Sequence, residues 1–162
     1  MTDTQTAGQS TNPFKKVAVL FAGGPAPAAN AVISTAAVSF LRNGAEVIGI
    51  KHGYSKLEKF DGTPLVAEQD YIKIDHATLK RTRASQGILI GTSRANPGEK
   101  VSSIADLTHP ENSKKLKNVY EGLCSLGVEA LISIGGDDTL KTANKLKMYQ
   151  DRLPADAKRI PV

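Results

Sequence analysis

Leu131 to Leu140 reads LISIGGDDTL. A short apolar run enters the stretch, two glycines follow and two aspartates stand side by side, which predicts a β-strand ending in an acidic, glycine-flexed loop. Adjacent carboxylates are costly to hold together unless a cation compensates or the charge serves to exclude a ligand. Two readings are open at this point. The loop is a site for phosphate and magnesium, or it is a tight strand-to-helix turn whose second aspartate caps the following helix.

Working outward, VEALISI (residues 128–134) is the strand that feeds the loop. TLKTANKLKMYQ (139–150) is the helix after it, with Leu140, Ala143 and Leu146 or Lys147 on its buried side. A similar unit opens the chain. KKVAVLFAGG (15–24) reads as a buried strand, PAPAAN as a loop, and AVISTAAVSFLRNG (31–44) as a helix stopped by Asn43 and Gly44. Amides at that helix start and in the Gly23-Gly24 loop suit an anion. AEVIGIKHGY (45–54) is a second strand, and strand–helix–strand order implies a parallel pair with a right-handed crossover. The fold class is therefore α/β. Ligands gather at the carboxyl ends of strands in open α/β sheets, so Gly23-Gly24 and Gly135-Gly136-Asp137-Asp138 are expected to line one crevice. Neither GxGxxG nor GxxxxGK[ST] is present, so a phosphate here is held by another arrangement.

The middle of the chain carries less signal. An Asp61-Gly62 turn and a short β-like run at Tyr71 to Ile74 suggest a peripheral excursion. Asp75 is placed to cap a short helix over HATLKRTRAS (76–85), with Arg81 and Arg83 on different faces at the surface. GILIGTSRANPG (87–98) reads as a strand or turn ending in a polar loop that presents Arg94, whose planar fork suits a pair of phosphate oxygens. Thr108 or His109, before Pro110, begins a helix with Leu116, Val119, Tyr120, Leu123 and Leu126 at helical spacing, ended by Gly127. Cys124 beside that stripe reads as a core thiol. His52, His76 and His109 have no metal-ligand spacing and receive no catalytic role.

Composition narrows the class. The chain of 162 residues is 40% hydrophobic, enough for one domain with a core. A single cysteine excludes an intrachain disulfide and a cysteine metal cluster, and fits a reducing, cytoplasmic setting. Ala31 to Leu41, the longest apolar stretch, is broken by Ser34, Thr35 and Ser39 and is too short to cross a membrane. The net charge of +5 comes with scattered lysines and only 5% aromatic residues, which argues against a nucleic-acid platform. Lys114, Lys115, Lys117, Lys141, Lys145 and Lys147 read as solvated helix faces. Residues 1–14 are expected to form a disordered tail and residues 15–162 one donor-binding domain. The apolar Ile160 to Val162 looks like the start of a further strand, as in an N-terminal fragment.

Taken together, Lys15 to Val162 resembles the phosphofructokinase family, with three motifs in consistent order. AGGPAPAAN is similar to the family's glycine phosphate loop, GILIGTSRANP to its arginine loop, and LISIGGDDT to its magnesium loop. The resemblance implies a parallel-sheet, three-layer, Rossmann-like N-terminal domain, incomplete at its C-terminus. It also implies that Gly23, Gly24, Gly136, Asp138 and Thr139 contact the phosphoryl donor, that Arg94 clamps its phosphates and that Asp137 serves a magnesium ion. ATP-using members commonly have glycine where Asp138 stands, and pyrophosphate-using members have aspartate. The chain thus looks like part of a pyrophosphate-dependent enzyme acting on fructose 6-phosphate, a homo-oligomer at full length. A carboxylate about 4 Å from a phosphate charge at an effective dielectric near 20 is repelled by about 4 kcal/mol, on the order of a thousandfold in affinity. Asp138 would then exclude a third phosphate. Pro25, Ala28 and Gln86 depart from the family pattern, and the catalytic base is expected beyond Val162. An ATP-dependent kinase with a Gly-Gly-Asp loop and a non-catalytic regulatory subunit are the alternatives.

Overall fold

The structure is a computed structural model and describes residues 13–80, 82 and 86–162. The tail assigned to residues 1–14 lies mostly outside the described residues, as do Arg81 and Arg83. Phe14, placed in that tail, packs against Val17, Ala45 and Ala130.

Among the described residues four strands form one sheet: β1 (Lys16–Ala22), β2 (Glu46–Ile50), β3 (Tyr71–Ile74) and β4 (Ala130–Gly135), in the order β3-β2-β1-β4. The helices are α1 (Ala29–Arg42), α2 (His76–Lys80), α3 (Pro110–Ser125) and α4 (Asp137–Asp151). β1 is the organising strand, with Val17 to Ala22 buried throughout, as expected when both faces of a parallel strand are covered. Ala18, Leu20 and Ala22 face a core that includes Leu116 and Leu123 of α3 and Leu146 of α4. Val19 and Phe21 face a second core with Ile33 and Ala37 of α1. Period-two alternation along one strand thus builds the three-layer α/β arrangement.

β1 pairs in parallel with β2 and with β4, and its register sets Ala22 opposite Gly135. The two glycine loops therefore leave the sheet side by side. The run at Tyr71 to Ile74 is no excursion, however, but an antiparallel edge strand on β2, which makes the sheet mixed. The segment at 87–98 contains no strand and proceeds through turns, with the Gly91 amide donating to the Ile88 carbonyl at 2.8 Å. His109 is the residue that precedes α3, so Pro110 occupies the first helical position, where its missing N–H costs nothing.

The buried side of α4 differs from the expectation. Leu140 is 58% exposed, and Thr139, Thr142, Leu146 and Gln150 face inward. Polar tertiary partners override hydropathy here: Gln150 both donates to the Ile160 carbonyl at 3.0 Å and accepts from the Ile160 amide at 2.7 Å. The Pro161 carbonyl in turn accepts from the Leu131 amide at 2.8 Å, so this segment runs beside β4. Of the six lysines assigned to solvated faces, Lys117, Lys141 and Lys147 pair with carboxylates one turn away on their own helices, and two reach other segments. Lys115 pairs with Glu99 at 2.9 Å and Glu58 at 3.6 Å, and Lys145 donates to the Gly98 carbonyl at 2.9 Å. Cys124 is a half-buried free thiol packed against the α3 core. No described helix is long and apolar enough to cross a membrane.

Candidate functional site

β1 and β4 end together, and the chain changes direction at both ends. Gly23, directly after β1, has φ of 112°, a left-handed conformation in which a side chain would be strained. On β4, a Cβ added to Gly135 would collide with the Ala22 carbonyl and the Thr139 side chain, so only glycine lets the strands close on each other at this level. Gly136 is extended and leads into α4, whose N-terminus has no side-chain cap. The Thr139 and Leu140 amides close on the Gly136 carbonyl at 2.9 and 3.1 Å. The amides of Asp137 and Asp138 are left with no hydrogen-bond partner among the described residues, in a helix first turn that favours negative charge.

The arginine loop reaches this point from elsewhere in the chain. Its start is fixed by the Gly23 amide, which donates to the Ser93 carbonyl at 2.8 Å, and by the Thr92 hydroxyl, which donates to the Gly23 carbonyl at 2.8 Å. Arg94 is exposed, and its guanidinium has no ion-pair or hydrogen-bond partner among the described residues. Gly23, Gly24, Arg94, Gly136, Asp137, Asp138 and Thr139 line one open cavity of about 560 Å³. The structure thus brings all seven sequence-derived positions into one place.

They do not all present the group expected. Thr139 is 6% exposed, and its hydroxyl donates to the Ala22 carbonyl at 3.2 Å. That side chain bridges β1 to α4 at the floor of the cavity. Asp138 projects into solvent with its side chain 87% exposed, 3.8 Å from Lys141, itself 70% exposed. Its repulsion toward a phosphate is therefore screened more than an effective dielectric of 20 allows. Lys141, read from sequence as a solvated helix face, also lines the cavity, as do Thr142, Ser93 and Asn96, to which the sequence reading gives no role. Helical spacing carries a signal for Lys141 and Thr142, three and four residues after Asp138. Nothing local marks Asn96, which enters because Thr142 Oγ1 donates to its Oδ1 at 3.0 Å.

Charges in the cavity balance, with Arg94 and Lys141 against Asp137 and Asp138. Among the described residues no group of three or more His, Cys, Asp or Glu is arranged to hold a metal. That donor set does not make a resident metal cage. It fits magnesium, which keeps much of its water and binds through one or two carboxylates plus substrate phosphates. A larger cavity of about 1140 Å³ runs along α1 and the loop at 25–27; among the described residues its charged or titratable lining is His76 and Lys80, with no carboxylate.

Beneath the site, Tyr54 is fully buried and its hydroxyl lies 2.8 Å from Ser133 Oγ on β4. Burial pushes its pKa up to about 12, against the smaller lowering effect of the Ser133 contact. The pair satisfies two polar groups inside the core that supports the loop.

Comparison with known proteins gives a consistent result. The family model described as Phosphofructokinase matches residues 16–161. A pyrophosphate–fructose 6-phosphate 1-phosphotransferase of Thermotoga maritima is 31% identical over 132 residues, 82% of this chain and 27% of that protein. An ATP-dependent 6-phosphofructokinase of Aquifex aeolicus is 34% identical over 142 residues, 86% of this chain and 36% of that protein. Phosphofructokinase of Pichia pastoris in the T-state superposes with a TM-score of 0.66 at 20% identity, over 91% of this chain and 14% of that one, a likeness of fold. The chain thus spans about a quarter to a third of the length of these two curated relatives.

Proposed function

This chain belongs to the phosphofructokinase family, and on that premise we propose that it forms the phosphate-donor and magnesium site of a pyrophosphate-dependent enzyme. The enzyme transfers phosphate between pyrophosphate and the 1-hydroxyl of fructose 6-phosphate, giving fructose 1,6-bisphosphate. Relatives named for pyrophosphate and for ATP are similarly identical to the chain, so the donor reading rests on one observation: Asp138 stands beside Asp137 in the cavity that holds Arg94. Arg94 clamps phosphate oxygens, Asp137 meets the magnesium that accompanies them, and Asp138 disfavours a third phosphate. Magnesium supplies charge neutralisation when bound; these residues supply orientation. The proton transfer from the sugar is assigned to no residue here, so the isolated chain is expected to bind donor without turnover. The single cysteine suits a reducing compartment, and we expect a cytoplasmic enzyme that assembles with copies of itself.

Isothermal titration of the full chain with magnesium pyrophosphate and with magnesium ATP tests the donor. Tighter binding of pyrophosphate is expected. Tighter binding of ATP would assign the chain to the ATP-dependent branch, which the Aquifex aeolicus similarity keeps as the second reading.

A further inference from the structure

The loop that carries Arg94 is fastened to two different elements. Its leading side is held by Gly23 through Thr92 and Ser93. Its trailing side is held by α4: the buried Thr142 hydroxyl, whose single proton is shared with the Asp138 carbonyl of its own helix at 2.9 Å, donates to Asn96 Oδ1 at 3.0 Å, and the Lys145 ammonium donates to the Gly98 carbonyl at 2.9 Å. Only Arg94 and Ala95 stand between these ties. Lys145 reaches the carbonyl along a stem that lies over Gly98, where an added Cβ would stand 2.6 Å from Lys145 Cδ. A half-buried lysine gives up rotamer freedom and hydration to make such a contact, so the contact has to be repaid by what it orders.

We infer that Lys145, with Thr142, is a positioning residue for Arg94, holding the arginine loop against the helix whose first turn carries Asp137 and Asp138. The inference rests on the donor-site reading of Arg94. Thr142 and Lys145 follow Asp138 by four and seven residues on one helical face, so the rigidity of α4 sets the distance from the two aspartates to the arginine. A loop pinned on both sides has only the Arg94 side chain left to order on a ligand, which lowers the entropic cost of the clamp.

A double-mutant cycle with Arg94 separates this role from a direct charge effect. The full chain is titrated with magnesium pyrophosphate and with magnesium ATP. Lys145→Met weakens whichever donor the wild type binds by about tenfold, the worth of one charge-assisted hydrogen bond. Lys145→Arg, which still donates to the Gly98 carbonyl, stays within about threefold of wild type. Gly98→Ala, which displaces the Lys145 stem and changes no charge, follows Lys145→Met and serves in its place if that variant does not fold. In an Arg94→Ala background, Lys145→Met causes no further loss, because its effect passes through Arg94. An equal loss in both backgrounds, or wild-type affinity in Lys145→Met, overturns the inference and leaves the donor site standing. A wild type that binds neither donor refutes the donor-site reading first, and the positioning role with it.

Discussion

The Thr139 hydroxyl donates to the Ala22 carbonyl at 3.2 Å, joining the first turn of α4 to the end of β1. Gly135 makes that approach possible, since a Cβ there would occupy the space of both partners. Gly135→Ala is therefore expected to destabilise the fold by about 1–3 kcal/mol through overpacking. Urea denaturation reads this directly, and an unchanged midpoint at unchanged slope would show that β1 and α4 have room to part.

Asp138→Gly tests the donor assignment. At 4 Å the repulsion ranges from on the order of a thousandfold at an effective dielectric of 20 to about fivefold in bulk water. With its side chain 87% exposed and Lys141 at 3.8 Å, Asp138 belongs near the lower end. ATP affinity is expected to rise by roughly fivefold to tenfold in the variant, with the gain shrinking as salt is added. A pyrophosphate affinity that falls while ATP affinity stays constant would give Asp138 an attractive role instead.

Arg94 is exposed and has no partner among the described residues, so its guanidinium meets a phosphate without first breaking an ion pair to them. Arg94→Ala is expected to weaken magnesium pyrophosphate by about tenfold to a hundredfold, from charge-assisted hydrogen bonds. Arg94→Lys should recover only part of this, because an ammonium keeps the charge and lacks the planar fork. Full recovery by lysine in a titration would mean that charge alone is read.

Tyr54 makes a prediction at high pH. Its folded pKa is pushed up to about 12 by burial, above the ordinary value of 10.0. Above pH 10 the unfolded chain releases this proton and the folded chain keeps it, so the unfolded state binds fewer protons and stability falls as pH rises. The contribution is complete below pH 10 and lost between 10 and 12, at most about 1.4 kcal/mol per pH unit. Tyr120 and Tyr149 are also raised, so the readout is the difference from Tyr54→Phe, whose unfolding free energy should decline less steeply over that window. Equal slopes would show that Tyr54 ionises in place. Below pH 10 the variant is expected to be less stable, because it leaves Ser133 Oγ without its partner.

Much of this architecture is written locally. The alternation in KVAVLFA, the glycines after it and the apolar run before Gly135 each act over a few residues, so the strand–loop–helix units and their three ordered motifs are legible from composition and spacing. The α4 side chains show where this ends. Hydropathy sends Leu140 inward, yet Thr139, Thr142 and Gln150 are buried, because their partners are the Ala22 carbonyl, Asn96 and the Ile160 backbone. Ala22 and Asn96 lie 117 and 46 residues from their partners, and Ile160, ten residues beyond Gln150, lies past the helix end, so none leaves a periodic trace.

The sequence by itself determined the α/β class and the two glycine loops, because hydrophobic period and turn chemistry are short-range properties. Only the tertiary structure decided that Arg94 shares a cavity with Asp137 and Asp138, that the Thr139 hydroxyl bridges α4 to β1, that Asp138 is screened by solvent and Lys141, and that Lys145 donates to the arginine loop. Each of these depends on distances through space between segments brought together by packing, and on the solvent exposure that packing leaves.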